Sequence, residues 1–279
     1  MKTYKIYALL AIMTLMSSCE KFTSENGKTS EKAESNNVAL NLTKGNMVKT
    51  VCHKVTFSVF KVDEKIGSVT QSTDDETFGT VHLSLSPGIY RIVAIGHNGA
   101  GNCTISSPEK ITFTSNKVTD TFYYYGTLEA KEDENTSQSV TLKRAVAMFR
   151  LCIKDPIPEN AKRIQFYYTG GSSTFNAVTG FGCVNSKQTE TLDMSSSQNI
   201  YEVYTFPHED DDKLKITISV LNETGFVIAS NTFEDVAVTK NYITKYSGKL
   251  FGNISGGMTD IDIDFEFDPE WAGENEYEF

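Results

Sequence analysis

One pattern constrains the fold of this 279-residue chain more than any other. From residue 38 onward its apolar residues recur at every second position. A period of two lines one face of a β-strand, whereas a helix would need a period near 3.6. Val38, Leu40 and Leu42 alternate with polar partners, as do Val55, Phe57 and Val59. Val81, Leu83 and Leu85 share a face, with Thr80, His82 and Ser84 opposite and Ser86-Pro87-Gly88 as the turn that follows. Residues 89–95 are apolar on both faces except at Arg91, which predicts a central strand. A glycine-rich loop over 96–102 follows, then strands around Ile111 and Phe113 and over 122–125. Past the polar stretch 130–139, residues 140–153 read as one long strand with Arg144 and Arg150 on one face. Asp155-Pro156-Ile157-Pro158 ends it. Further strands are expected over 163–168, 200–206, 214–221, 226–233, 242–251 and 260–267, with 222–225 as a hairpin turn. No segment patterns as an amphipathic helix. The expectation is an all-β chain of two sandwich-like domains, 38–129 and 140–268, joined by a linker at 130–139 and followed by an acidic tail at 269–279.

The first nineteen residues follow a different logic. Lys2 and Lys5 precede an apolar run from Ile6 to Met16, which closes on Ser17 and Ser18 directly before Cys19. Charged start, apolar middle and small residues at the cut make a secretory signal, too short to span a bilayer that needs ~20 residues. Small residues followed at once by cysteine resemble the lipobox of bacterial lipoproteins, in which the cysteine thiol carries the lipid. Residues 1–18 are therefore read as a lipoprotein signal peptide, Cys19 as the lipidation site and 19–37 as a flexible tether. The tether holds almost nothing apolar to repay the entropy of ordering. The chain carries 26 basic and 36 acidic side chains, net −10. An acidic chain without basic clusters has no footprint for nucleic acid, and its attachment to a membrane is better made by lipid than by charge.

An exported chain can keep disulfides, and Cys52 with Cys103 is a possible pair, because one precedes a strand and the other follows one, although connectivity is not read from sequence. No cysteines have Cys-x-x-Cys spacing, which argues against zinc or thioredoxin chemistry. Catalytic motifs are also missing. His53, His82, His97 and His208 fall in no metalloprotease motif, Gly170-Gly171-Ser172-Ser173 is a turn rather than a nucleophile elbow, and no phosphate-binding glycine loop is present. His97, in the loop after the central strand, is the best-placed candidate for chemistry, although a polar loop residue is the commoner identity of such a histidine. Asp210-Asp211-Asp212 reads as a solvated turn. The alternating Asp260, Asp262, Asp264 and Glu266 lack the glycine and glutamate of a calcium loop, having Phe265 and Trp271 there. They read instead as a gatekeeper strand face. The expectation is no enzyme, no metal and no cofactor. Tyr123-Tyr124-Tyr125, Tyr167-Tyr168 and Trp271 offer an alternative, a surface that stacks on glycan or host protein, against the commoner fate of strand aromatics in a core.

Three stretches together resemble the FimB/Mfa2 family of fimbrial lipoproteins from Bacteroidetes, related to the type V pilins. They are residues 85–96 (LSPGIYRIVAIG), similar to the family's Pro-Gly-x-Tyr hairpin, residues 142–158 from Leu142-Lys143-Arg144-Ala145 to Asp155-Pro156-Ile157-Pro158, and residues 242–251 (YITKYSGKLF). The resemblance implies two tandem transthyretin-like, Greek-key β-sandwich domains and a lipid-anchored place on the outer membrane, in the fimbrium. It also implies fimbrial pilin subunits as partners, in cell adhesion, joined by β-strand addition. In such pilins a protease cuts after an arginine and removes the first strand. Here the arginines are Arg91, Arg144, Arg150 and Arg163, none of them ahead of the first strand. The chain is therefore expected to keep its lipid and its first strand, as an anchor or accessory subunit would.

Overall fold

In a computed structural model of the chain, residues 36–195, 197–252 and 271–278 are described. The alternation at 38–42 becomes β1 (Asn36–Leu42), with β4 (Thr80–Leu85) antiparallel on one side and β9 (Thr136–Val140) parallel on the other. Facing this three-stranded sheet is a five-stranded one. Its order is β10 (Lys143–Arg144), β8 (Thr121–Ala130), β5 (Gly88–His97), β2 (Lys54–Lys61) and β3 (Glu64–Ser72). Val38, Leu40, Val81, Leu83 and Leu85 from the first sheet meet Val55, Phe57, Val59, Ile92 and Leu128 from the second in one buried cluster. β5 is central as expected, and its other face carries Val93 and Ile95 into a different cluster.

The second half repeats the arrangement. β16 (Ile200–Thr205), β11 (Ala147–Ile153), β19 (Tyr242–Gly248) and β20 (Gly273–Glu278) form one sheet, whose last two pairings are parallel. β15 (Lys187–Asp193), β12 (Arg163–Thr169), β17 (Asp212–Leu221) and β18 (Val227–Val238) form the other. Phe149, Leu151, Phe166, Tyr168, Ile216 and Ile218 pack between them. The hairpin at 222–225 forms as its sequence predicts, with Asn222 Oδ1 accepting from the Thr224 and Phe226 backbone N–H groups.

A fifth sheet takes strands from both halves: β6 (Cys103–Ser107), β7 (Lys110–Phe113), β13 (Phe175–Asn176) and β14 (Phe181–Gly182), with Phe175 opposite Ile111. Beneath it lies a third cluster, in which Ile95, Ile111 and Phe113 meet Met148, Phe175, Phe206 and Ile243. Among the described residues the fold is all-β apart from a short helix, α1 (Gly45–Val51), and one 3-10 turn.

Several local expectations give way to tertiary context. Residues 140–153 are not one strand. Their pieces end β9, form β10 and form β11, in three different sheets, with Ala145 and Val146 fully buried at the crossing. Ser86-Pro87-Gly88 joins two facing sheets instead of closing a hairpin, and Tyr90 Oη donates to Ser86 O at 2.8 Å across the bend. Four of the ten residues expected as a linker lie in β9, and six of the eleven expected as a tail form β20. The helix α1 departs from the all-strand expectation: none of its residues is fully buried, and Val48 is its one side chain packed against the first cluster, too little to give an amphipathic pattern.

Cys52 and Cys103 are both free and buried, so the possible bridge between them is not formed. The reason is geometric. Cys52 belongs to the cluster on one face of the five-stranded sheet and Cys103 to the cluster on the other. Gly96 of β5 leaves room for the Cys52 thiol, since a Cβ there would sit 2.9 Å from its Sγ. Burial pushes the Cys52 thiol up to about 12, an inert side chain.

Candidate functional site

The residues between β9 and β11 cross from the first sandwich to the second, and Arg144 of β10 anchors the crossing. Its Nε donates to Asp120 Oδ1 at 2.8 Å, its Nη2 to Asp120 Oδ2 at 3.0 Å and its Nη1 to Asn241 Oδ1 at 3.2 Å. The guanidinium lies 3.7 Å from the Trp271 ring centroid and 4.7 Å from that of Phe122. One planar fork thus ties together segments from residues 120, 241 and 271. A lysine could not do this, because it lacks both the bidentate geometry and the stacking plane.

Beside Arg144 the surface opens into a groove. Met47, Val48 and Val51 of α1 form one wall, Phe122 and Leu142 the other, and Cys52 contributes to the lining, around a cavity of about 600 Å³. A second cavity of about 590 Å³ continues it past Lys143, Lys240 and Asn241. Met47 is 62% exposed and Val51 40%, so α1 offers apolar surface to solvent. Among the described residues the lining includes Lys44, Lys143, Arg144 and Lys240 but no acidic side chain. Burial depresses the Lys240 ammonium below its ordinary range, with Asp210 countering and Lys143 adding repulsion. In a chain of net charge −10 this is a local inversion of sign. Among the described residues β10 is the terminal strand of its sheet, so a strand edge lies along the same groove.

A smaller cavity of about 390 Å³ lies under the loop 98–102. His97, expected in that loop, is the last residue of β5 and is 2% exposed. Its Nδ1 accepts the Gly99 N–H at 3.2 Å, which places the ring proton on Nε2. Burial, with Lys54 and His53 nearby, lowers its pKa to about 4. The ring is therefore neutral, and its edge meets Phe113 at a centroid distance of 5.6 Å.

The other expected positions scatter. Cys19 and the acidic ladder at 260–266 lie outside the described residues. His208 clips a turn together: its Nδ1 is 3.0 Å from Asp212 Oδ2 and 3.1 Å from Gly170 O, and its Nε2 is 3.2 Å from Val184 O. Asp212 is therefore a partner in that clip and not a bare solvated charge. The aromatics do not share a platform. Tyr168 is buried with its hydroxyl on Tyr204 O at 3.0 Å, Tyr123 and Tyr125 pack on the third cluster, and Trp271 is 8% exposed. Among the described residues no group of three His, Cys, Asp or Glu side chains is placed to hold a metal, and no helix is long and apolar enough to cross a membrane. The groove escapes sequence reading because Lys44, Lys143 and Lys240 lie about a hundred residues apart from one to the next. Only Lys143-Arg144 is a local basic signal.

Two facing-sheet sandwiches, joined by a shared sheet and a largely covered arginine, define an all-β class of protein. Within that class the chain belongs to the family of unknown function DUF6562, whose profile matches residues 14–279. A search of curated proteins finds no match. Among solved structures, a candidate adhesin from Bacteroides ovatus shares the fold with a TM-score of 0.51 at 13% identity, over 76% of this chain and 88% of that one. The fimbrial anchor protein Mfa2 from Porphyromonas gingivalis aligns with a TM-score of 0.42 at 13% identity, over 71% and 82%. The tip fimbrial protein Mfa3 from the same organism aligns at 0.39 and 10% identity, over 74% and 92%. Fimbrial proteins of the kind that the three sequence stretches resemble thus stand among the structural neighbours.

Proposed function

We propose that this chain is a non-catalytic, cell-surface subunit of fimbrial or adhesin type. It is held to the outer membrane through lipid on Cys19 and joins a fimbrial partner by β-strand addition. The observation that carries the reading is the groove between α1 and β10. Strand addition needs a strand edge for backbone hydrogen bonds and an apolar channel for alternate side chains. The groove supplies both, with a cationic rim that selects an acidic partner segment. The shared fold with a candidate adhesin supports the same reading. So does the position of Arg91, which lies inside β5, where a cut would break a core strand instead of freeing β1.

The test is capture of fimbrial subunits from native membranes on the lipidated protein. Lys44 and Lys143 are exposed, so Lys44→Glu with Lys143→Glu should leave the fold intact and abolish that capture. Equal capture by the double variant would remove the groove from the proposal. Mass spectrometry of the native N-terminus tests the anchor: a diacylglyceryl group on Cys19 is expected, and a new terminus downstream of β1 would overturn it.

A further inference from the structure

A second binding site lies apart from the groove, at the end of β5. We propose that the cavity under the loop 98–102 binds a neutral, polyhydroxylated ligand of about the size of one sugar ring, with His97 and Thr119 taking its hydroxyl groups. This does not depend on the fimbrial reading.

Two polar atoms carry the inference. His97 Nε2 and Thr119 Oγ1 are both buried without a hydrogen-bond partner. They belong to one place, since a Cβ on Gly99 would sit 3.2 Å both from the His97 ring, at Nδ1, and from Thr119 Oγ1. Buried, unmade hydrogen bonds are costly, and natural folds rarely keep two side by side without a use for them. Nε2 is a donor here, because Nδ1 already accepts from Gly99. A hydroxyl group can accept from the imidazole N–H and also exchange a hydrogen bond with the threonine.

The rest of the lining narrows the chemistry. The cavity, at about 390 Å³, falls within the ~300–1,000 Å³ of small-molecule sites. Among the described residues no acidic side chain lines it, and the nearby cations are engaged. Lys117 Nζ pairs with Glu190 at 3.1 Å, and Lys54 Nζ donates to Ala100 O at 2.7 Å and Asn102 Oδ1 at 2.8 Å. Lys117 is thus neutralised by its carboxylate, while Lys54 keeps its charge but spends two N–H groups on the loop's own oxygens. Phe113 supplies an apolar surface, while Asn98, Asn102 and Thr114 supply amide and hydroxyl groups. Amides, hydroxyls and one aromatic face match a sugar ring.

The loop has the means to admit it. Its ends are tied, by Asn98 N–H to Asp120 O at 3.3 Å and by Thr114 Oγ1 to Asn102 O at 2.9 Å. Between them Gly99 and Gly101 press so closely on Thr119 and Thr114 that no side chain would fit at Gly101, where a Cβ would sit 2.4 Å from Thr114 Cβ. Gly99 lies against the His97 ring and Thr119 Oγ1 with backbone alone, so a small backbone shift there opens space beside them.

The experiment is NMR titration of the full chain with methyl glycosides of glucose, galactose, mannose, fucose and N-acetylglucosamine, reading saturation transfer to the sugar and the ¹⁵N resonances of the His97 ring. At least one glycoside should bind saturably and shift the Nε2 resonance. Thr119→Val should weaken it about tenfold, the effect of one such hydrogen bond, while Thr119→Ser, which keeps the hydroxyl, should bind as the parent does. Thr119→Val should also melt no lower than the parent, because it deletes an unpaired polar atom. No binding of any glycoside at ~10 mM, where even millimolar affinities register, would overturn the proposal. So would binding that ignores Thr119→Val, or Nε2 found bonded only to a trapped water. Capture of fimbrial subunits should be the same in all three proteins, which separates this site's failure from the groove's.

Discussion

His97 links a single side chain to the stability of the whole fold. Its ring is held neutral down to about pH 4, whereas in an unfolded chain it takes a proton near the ordinary 6.5. The unfolded state therefore binds the extra proton between those values, and acid favours it. Stability from this residue is complete above pH 6.5 and drains away as pH falls toward 4, by up to ~3 kcal/mol. Urea midpoints measured from pH 7.5 to 4 should fall more steeply for the parent than for His97→Gln. Carboxylates common to both proteins cancel in that comparison, and parallel curves would refute the assignment. Arg144 is the second residue on which much depends. Both it and Asp120 have side chains only 12% exposed. Removing one member of such a pair leaves the other charge nearly buried and unpaired, which costs about 3 kcal/mol or more. Arg144→Ala should show that loss by urea denaturation. Arg144→Lys should recover less than half of it, because an ammonium cannot bridge Asp120 and Asn241 while stacking on Trp271.

At the scale of elements, β20 makes an instructive case. It runs parallel to β19, from Gly273 beside Tyr242 to Glu278 beside Ser247, and closes an otherwise open sheet edge. Ending the chain after Ala272 would remove those ladder bonds while keeping Trp271 over Arg144. A loss of about 2 kcal/mol is expected, since each ladder bond nets only ~1 kcal/mol before the ordering entropy is subtracted. Light scattering should rise as well, because β19 becomes a bare edge. An unchanged urea midpoint would mean that β20 is not held there in solution. Nothing in Gly-Glu-Asn-Glu-Tyr-Glu alternates between apolar and polar, so the sequence offered an acidic tail. The same holds for β9, read as linker from Thr-Ser-Gln-Ser, and for β3 and β15, which are polar on most positions. Strands whose side chains carry the burial were legible: β4, β12 and β17 bury Leu83, Phe166 and Ile218 as the period of two required. Strands held chiefly by backbone pairing were not, since the hydrogen bonds that fix them belong to a neighbour. The candidate site was hidden for a related reason. His97 was singled out from its loop, but its partner Thr119 and the lysines of the groove are brought together only by the sheets.

Taken whole, the described part of the molecule is bound together across its midpoint. Phe113 and Ile111 come from the first half, Phe175 and Phe206 from the second, and they share one cluster and one sheet. Phe206 is the centre of it: fully buried, with ring centroids 5.4 Å from Phe113 and 5.0 Å from Phe175. If each sandwich relied only on its own cluster, a change there would loosen the contact and leave two separate unfolding steps. The shared cluster argues for coupling. β7 pairs with β13 across the midpoint and β10 pairs with β8 after it, so neither half keeps all its strands paired when the other is lost. Calorimetry should accordingly give one transition for the parent chain. Phe206→Ala should cost ~3–5 kcal/mol, the usual loss for a buried phenylalanine and the cavity it leaves. It should lower that transition as a unit, because the loss falls on an element that both sandwiches need. If the variant instead splits the trace into two peaks, with one at the parent's temperature, the halves are coupled only through Phe206. Two peaks in the parent would show that the shared sheet does not join them. A single peak in both, displaced downward in the variant, is the outcome that the aromatic cluster dictates. In such a construction load on either sandwich is resisted by both.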